Sequence, residues 1–138
     1  MNWSGVVGHI ADARIAHIAT SDDEGSPHVA VVAPCIDGTD VWILTSRSSR
    51  KARNVAVNGR MALVWTPGAE VYLYGSACLV EALEEKQRLW SSGLLSFDPA
   101  SFFGTPDNPD FVLLKIEPDT AVVMTQGASG PERHRWKR

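Results

Sequence analysis

Residues 27–45, PHVAVVAPCIDGTDVWILT, decide the fold of this chain. An apolar run over residues 27–36 is followed by Asp37-Gly38 and by a second apolar run over residues 41–45. An Asp-Gly pair between two such runs is a strong signal for a β-hairpin. Because the runs are apolar at nearly every position, both faces of the hairpin need cover. A small closed antiparallel barrel provides that cover on its inner face.

The segments outside the hairpin extend the same pattern. Further strands are predicted at residues 15–20, 61–66, 71–83 and 111–124, and short helices at 3–13, 50–57 and 84–92. Gly75 interrupts a strand, which is typical of a bulge, a barrel corner or a close backbone approach. The sequence therefore predicts a mainly β protein of about six strands. Its short helices cover part of the outside, and a second copy of the chain is a candidate to cover the rest.

Composition is that of one ordinary soluble domain. The 138 residues are 44% hydrophobic, and 13 basic against 16 acidic side chains give a net charge of −3. No apolar run is long enough to span a membrane, and the N-terminus does not resemble a signal peptide. Cys35 and Cys78 form no CxxC pair, which favours a cytoplasmic chain with reduced, buried thiols. We expect one domain over residues 1–125 and a flexible basic tail over residues 126–138.

Several enzyme templates are absent from the chain. It has no GxSxG, GxxxxGK, HExxH or GxGxxG motif. The chain has four histidines: His9, His17, His28 and His134. Their spacing is not that of metal ligands, so no metal site is expected. No side chain is singled out as an acid–base catalyst, and His28 is better explained as a half-buried histidine with a backbone partner.

Charge is segregated along the chain. Residues 22–40 contain five acidic side chains and no Lys or Arg, whereas residues 47–60 contain five basic side chains and no acid. The sequence LTSRSSRK, residues 44–51, lies where a strand ends and a helix capped by Ser49 begins. Cations in the first turn oppose the helix dipole, and a bound anion reverses that penalty. The pattern indicates a phosphate site; the alternative is a polar capped loop with solvated bases.

The aromatic residues have two competing interpretations. Three tryptophans could form a flat ligand wall, although packing is favoured for at least two of them: Trp42, Trp65 and Trp90. Three phenylalanines in a proline-rich loop are either a dimer contact or a lid: Phe97, Phe102 and Phe103.

Three segments, in their order and spacing, resemble a known family. They are IAT at 18–20, GSPHV at 25–29 and LTSRSSRKARN at 44–54, supported by ALV at 62–64, GSA at 75–77, LW at 89–90 and DNPDF at 107–111. Together they are similar to the pyridoxamine 5′-phosphate oxidase-like, FMN-binding split barrels, with the general stress protein group as the nearest branch. The resemblance extends over about residues 11–124.

The resemblance implies a six-stranded split β-barrel that works as a homodimer, with flavin at the subunit interface. In such proteins the strand–helix segment binds the flavin phosphate, which here implies Thr45, Ser46, Arg50 and Lys51, with Leu44 and Ser49 beside them. The second strand lines the isoalloxazine largely through backbone groups: His28, Val29, Ala30, Val31 and Val32. Glu70 falls where relatives present a partner-chain glutamine, and a carboxylate accepts from a ring N–H but cannot donate to a ring carbonyl.

The resemblance also implies a function. We expect an FMN-dependent oxidoreductase acting on an unknown small molecule, with the cofactor supplying the redox chemistry. Ala30 stands where the vitamin B6 oxidases have an arginine, and residues 126–138 do not match their substrate-binding segment, so pyridoxamine phosphate oxidation is not expected.

Three other functions stay open. A deazaflavin (coenzyme F420)-dependent reductase would use the same Arg50 and Lys51 for phosphate, with Arg47 and Arg53 for its acidic tail. A non-catalytic flavin-binding stress protein would bind flavin without turnover. Single-stranded nucleic acid binding through residues 47–60 is disfavoured because no stacking aromatic lies among them, so no nucleic-acid partner is expected.

Overall fold

Eight antiparallel strands form one sheet, and four short helices lie outside it, in a computed structural model that describes residues 1–138. The strands are β1 (Ala16–Ser21), β2 (Pro27–Val32), β3 (Cys35–Asp37), β4 (Asp40–Ser46), β5 (Arg60–Trp65), β6 (Glu70–Val80), β7 (Phe111–Gly127) and β8 (Gly130–Lys137). The helices are α1 (Trp3–Ile10), α2 (Arg50–Val57), α3 (Leu83–Trp90) and α4 (Ala100–Phe103).

The long strand β7 organises the sheet. The strand order is β2-β1-β5-β6-β7-β4-β3, and β8 also pairs with β7. β7 pairs with β6 along most of its length, with β4 through its first residues and with β8 through its last. The predicted mainly β, antiparallel fold with short helices is confirmed.

The core has two parts because β4 and the start of β7 are buried on both faces. The inward side chains of β1, β5, β6 and β7 form the larger cluster with α1 and α2. A smaller cluster lies on the other face of β4, under α3 and the loop that follows it: Cys35, Trp42, Leu44, Leu89, Phe111 and Leu113. This explains why residues 41–44 are apolar at every position and why Thr45 after them is buried too.

Gly75 marks a bulge, as its place in the strand predicted. The register between β6 and β7 shifts between Tyr74 and Gly75. A Cβ at residue 75 would overlap the backbone carbonyl oxygen of Glu117, so the close approach of the two strands requires glycine here. Asp37 and Asp40 pair across the predicted hairpin turn, where Gly38 has a φ of 63°.

The structure departs from the predicted strands in two places. The run over residues 27–36 is divided into β2 and β3, and Pro34, which has no backbone N–H for the ladder, lies in the break. The C-terminal residues expected to form a flexible tail instead form β8. Its Trp136 is buried, and the ring lies 4.8 Å from the Trp3 ring of α1. One inward tryptophan in an otherwise polar strand thus ties down this end of the chain.

The two cysteines differ in environment. Cys35 is buried, and burial raises the pKa of its thiol to about 11. Cys78 is exposed and also free, so the expectation that both thiols are buried is wrong for this residue.

Candidate functional site

The turn between β4 and α2 has the geometry of a capped helix start. The Oγ of Ser49 accepts a hydrogen bond from the Ala52 N–H at 3.3 Å and donates to the Ser46 carbonyl at 2.7 Å. The buried Thr45 hydroxyl lies 3.3 Å from the same Oγ. The predicted cap at Ser49 and the start of α2 at Arg50 are therefore confirmed.

Asp110 also contacts this turn, although it lies more than 60 residues further along the sequence. Its carboxylate accepts from the Ser46 hydroxyl and, at 3.2 Å, from the Ser48 N–H. These hydrogen bonds, above all the one from Ser46, hold the pKa of Asp110 below its usual value. Sequence reasoning missed Asp110 as part of the turn. The contact follows from the pairing of Ser46 with Phe111 between β4 and β7, which places the preceding residue at the end of β4.

The five cations of residues 47–60 are not equivalent. Arg47 forms an ion pair with Glu81, and Arg60 forms one with Asp119 at 2.9 Å. The three on α2 have no acidic partner: Arg50, Lys51 and Arg53. Burial lowers the pKa of the half-buried Lys51. Positive charge is thus compensated at both ends of the segment and uncompensated along α2.

Backbone donors add to this positive potential. The N–H groups of Arg50 and Lys51 have no acceptor within the chain. Free N–H groups and the positive end of the dipole make a helix start a natural anion site. The predicted anion site therefore has two uncompensated cations and two free donors.

A cavity of about 380 Å³ extends from Lys51 toward β2. We call it the α2 cavity. Arg14 lines one part of this cavity. The rest of the wall is mostly apolar and comes from β2, β4 and the loop around α4: Val31, Val32, Leu44, Phe97, Phe102 and Phe103. Asn108 holds this wall by donating from Nδ2 to the Phe103 carbonyl at 2.9 Å. The phenylalanines, predicted to be a lid or a dimer contact, line this cavity, and Phe102 is 71% exposed.

Strand β2 presents an open edge and an exposed apolar face beside the cavity. It pairs with β1 on one side only, and Val29 and Val31 are 66% and 63% exposed. Ala30 is half-buried and Val32 is buried. The half-buried His28 has a buried Nδ1 without any hydrogen-bond partner, so the expected backbone partner is absent.

Glu70 lies apart from the other predicted site residues. It begins β6, where its carboxylate accepts from the Tyr72 hydroxyl at 3.2 Å and raises the pKa of that tyrosine. It lines a different cavity, of about 320 Å³, with Tyr72, Tyr74 and Arg133. Within one chain, residues of β2, β4 and α2 therefore line one cavity, whereas Glu70 lines another.

The tryptophans belong mainly to the core, in agreement with the favoured interpretation. Trp42 and Trp65 are 3% and 2% exposed, and Trp90 packs edge-on against Phe111 with ring centroids 5.5 Å apart. No group of three or more His, Cys, Asp or Glu side chains is placed to hold a metal ion. None of the helices has both the length and the apolar character needed to cross a bilayer.

Comparison with known proteins identifies relatives of this arrangement. A sequence model of the family described as pyridoxamine 5′-phosphate oxidase matches residues 6–124. General stress protein 26 of Bacillus subtilis is 27% identical over 124 residues, covering 86% of this chain and 84% of the relative.

Two solved structures share the fold. General stress protein 26 of Bacillus anthracis superposes with a TM-score of 0.72 at 21% identity, over 96% of this chain and 97% of the other. A pyridoxamine 5′-phosphate oxidase-related, FMN-binding protein of Nostoc punctiforme superposes with a TM-score of 0.66 at 12% identity, over 98% and 93%. The predicted resemblance and the predicted split-barrel fold are confirmed.

Proposed function

The chain belongs to the pyridoxamine 5′-phosphate oxidase family, and from that premise we propose that it binds FMN and is an oxidoreductase acting on a small molecule. The observation that carries this proposal is the uncompensated start of α2, which the α2 cavity joins to strand β2. The bound flavin would supply the electron or hydride transfer. The two free cysteines suit a reducing compartment, which supports a cytoplasmic location.

The phosphate fits the start of α2. We assign it first to the side chains of Arg50 and Lys51 and to their free N–H groups. The hydroxyl protons of Ser46 and Ser49 are directed to Asp110 and to the Ser46 carbonyl, so these two serines act mainly by shaping the turn. The Thr45 hydroxyl lies 3.3 Å from the Ser49 Oγ and therefore belongs to the same turn.

The flavin ring fits the apolar part of the α2 cavity. Leu44 and the phenylalanines of the wall would exclude water from the ring, and the free edge of β2 would offer it backbone donors and acceptors. The unpartnered Nδ1 of His28 is a further polar group beside this strand. No side chain of the site is assigned as an acid–base catalyst, so we limit the residues' roles to binding, orienting and shielding the flavin.

A second copy of the chain would complete the site. The exposed valines 29 and 31 lie on an edge strand, and an interface would cover them. We propose a homodimer in which Glu70 of one protomer reaches the flavin of the other, because within its own chain Glu70 lines a different cavity. The Tyr72 hydroxyl would hold that carboxylate in place as an acceptor for a ring N–H.

The first test is the double substitution R50A/K51A. The wild type should retain about one FMN per chain after excess flavin is removed. The variant should bind at least about 30-fold more weakly, since charge-assisted contacts contribute roughly 1.5–3 kcal/mol each and tenfold corresponds to about 1.4 kcal/mol. Quenching of flavin fluorescence on titration of the apoprotein measures the affinity.

The matched control is R47A/R60A, which removes two cations that already have acidic partners. It should change the FMN affinity by less than about threefold, because paired surface charges contribute little. Equal losses in both double variants, or no loss in R50A/K51A, would refute the phosphate assignment.

One observation favours a second candidate cofactor. Arg53 is exposed, unpaired and on the same helix as Arg50, where it could meet the acidic tail of coenzyme F420. The same titration with F420 decides between them. Binding of F420 at concentrations where FMN does not bind would replace the FMN proposal. Stoichiometric FMN without turnover of any electron donor would instead indicate a flavin-binding stress protein.

A further inference from the structure

Phe102 differs in exposure from the other side chains that line the α2 cavity. Leu44 is 9% exposed and Phe103 is half-buried, whereas Phe102 is 71% exposed. The exposed fraction therefore rises from the floor of the cavity at β4 to its mouth at α4. A phenylalanine ring left in water forgoes most of the free energy that its burial would provide. The mouth is thus the part of the wall whose apolar surface is still available to a ligand.

The backbone that carries Phe102 is fixed at both ends of α4. Before the helix, the Asp98 carboxylate accepts a hydrogen bond from the Ala100 N–H at 3.1 Å. At its end, the Phe103 ring stacks on the fully buried Phe111, with ring centroids 4.7 Å apart. An aromatic ring on such a support is preorganised for packing, because binding does not have to order the backbone that carries it.

A second exposed apolar side chain lines the same cavity from the side of the sheet. Ile15, which precedes β1, is 51% exposed. Single exposed apolar side chains are normal on a protein surface, whereas several at one place mark a binding surface. Ile15 and Phe102 together make the mouth of the cavity apolar, and this mouth is continuous with the part that we assign to the flavin ring.

The charges at the cavity restrict the class of ligand. Arg14 and Lys51 are the charged side chains that line it, and no acidic side chain does so. A cationic ligand would therefore lose hydration without gaining a counter-charge. The Phe102 ring favours a flat aromatic partner, since aromatic pairs gain free energy beyond that of the area they bury.

We propose that Phe102 determines the substrate specificity of the α2 cavity, and that the substrate is a planar aromatic molecule without positive charge, which packs against the Phe102 ring at the mouth. This inference rests on the proposed FMN site and names the substrate class of that site. Leu44 and Phe103, which lie deeper, are left to the flavin. Substitution of Phe102 should therefore affect the substrate and not the cofactor.

Calorimetric titration of the FMN-loaded protein with three probes tests the substrate class. The probes are 2-naphthol, its saturated counterpart decahydro-2-naphthol, and 2-naphthylmethylamine, which is protonated at pH 7. 2-Naphthol should bind at least about threefold more tightly than the saturated alcohol, because only the aromatic compound forms a ring pair. Tighter binding of the saturated alcohol would overturn the aromatic class, and tighter binding of the amine would overturn the exclusion of cations.

Two substitutions test the residue. F102A should weaken 2-naphthol binding by at least about tenfold, because it removes the apolar surface of the mouth. F102L should abolish the preference for 2-naphthol over the saturated alcohol, because it keeps an apolar side chain without a ring. Since Phe102 is exposed, both variants should keep the stability of the wild type in chemical unfolding.

The matched control is L83A. It removes another exposed apolar side chain, at the start of α3 and outside the α2 cavity. Its affinity for 2-naphthol should stay within about twofold of that of the wild type, as for most surface substitutions. Equal 2-naphthol affinity in F102A and wild type, or equal losses in F102A and L83A, would overturn the proposal.

FMN affinity and oligomeric state separate the substrate from the other candidates for contact with Phe102. F102A and F102L should bind FMN as the wild type does. A parallel loss of FMN and 2-naphthol binding would show that Phe102 contacts the flavin. Dissociation of F102A into monomers, measured by analytical ultracentrifugation, would assign the residue to an interface between copies. Either result would overturn the proposal.

Failure of the proposed function gives a different result. A wild type that retains no FMN would refute the FMN proposal before any substrate is tested. Titration of the apoprotein with 2-naphthol would then still test Phe102. Weaker binding in F102A would support its role at the mouth of the cavity, and equal binding would overturn it.

Discussion

Helices α2 and α3 have the same length, eight residues, and the opposite order of charge. α3 begins with Glu84 and Glu85 in its first turn and has Arg88 in its last, the order that the helix dipole favours. α2 begins with Arg50 and Lys51, has no acid in its first turn and has no base in its last. Each misplaced charge costs a few tenths to about 1 kcal/mol.

The difference shows which helix is complete without a ligand. In α3, Arg88 donates to Glu85 at 2.6 Å and to Asp37 at 2.9 Å, so the cation of its last turn is paired within the chain. α2 is held instead by its Ser49 cap and by buried side chains such as Asn54, whose amide donates to the Thr20 hydroxyl at 3.1 Å. Its three cations form no ion pair within the chain, and we infer that they serve an anion from outside it.

The largest effect should follow from giving α2 the charges of α3. R50E/K51E should weaken FMN binding by more than about 100-fold, since two charge-assisted contacts of roughly 1.5–3 kcal/mol each are lost and repulsion is added. R50E alone should raise the free energy of unfolding of the apoprotein by about 0.5–1 kcal/mol, because an acid in the first turn suits the dipole. Flavin titration and urea unfolding measure the two quantities.

The reciprocal change in α3 is the control. E84K/E85K should lower the free energy of unfolding by about 1–2 kcal/mol, because two charges are reversed in the first turn and Arg88 loses its bond to Glu85. It should leave FMN affinity within about twofold of the wild type. If R50E destabilises the apoprotein as E84K/E85K does, the charge order of α2 is not an adaptation to an anion, and the comparison fails.

Local signals made α2 predictable from the sequence. Ser49 marks its start and Asn58-Gly59 marks its end, and both lie within a few residues of the helix. The Asp37-Gly38 turn and the Gly75 bulge were predictable for the same reason. Each of these features depends on backbone geometry that neighbouring residues set.

Long-range contacts were not predictable in this way. Which cations are neutralised depends on Glu81 and Asp119, which are distant in the sequence from their partners. Residues 130–137 pair with β7, and their Trp136 packs against Trp3 at the other end of the chain. The sequence therefore indicated where charge collects, whereas the tertiary structure determines which part of it is available to a ligand.

Capping should produce the next largest effect. S49A should lower the free energy of unfolding by about 1 kcal/mol, because it leaves the Ala52 N–H without its acceptor. α3 has no side-chain cap, and Ala82 before it has the extended backbone of a cap residue, with φ −60° and ψ 126°. A82D should therefore stabilise the protein by about 0.5–1 kcal/mol. Chemical unfolding at pH 7 checks both values, and equal and small changes would show that neither helix start depends on its cap.

The smallest expected change in stability comes from removing the carboxylate that lies near the start of α2. α3 carries its own acids, whereas the turn before α2 receives Asp110, whose pKa is lowered chiefly by the Ser46 hydrogen bond. A carboxyl whose folded pKa lies below its unfolded value stabilises the protein above the unfolded pKa and loses that contribution as pH falls through the folded one.

D110N should therefore be less stable than the wild type at pH 7, and the difference should shrink as the pH falls below about 4. Thermal unfolding between pH 7 and pH 2.5 measures this. S46A removes the main donor and should flatten the acid limb in the same way, and the double variant should add little to either single change, because both substitutions break one interaction. A difference between wild type and D110N that stays constant down to pH 2.5 would mean that the carboxylate's charge does not stabilise this turn, and that α2 begins without any acidic support at all.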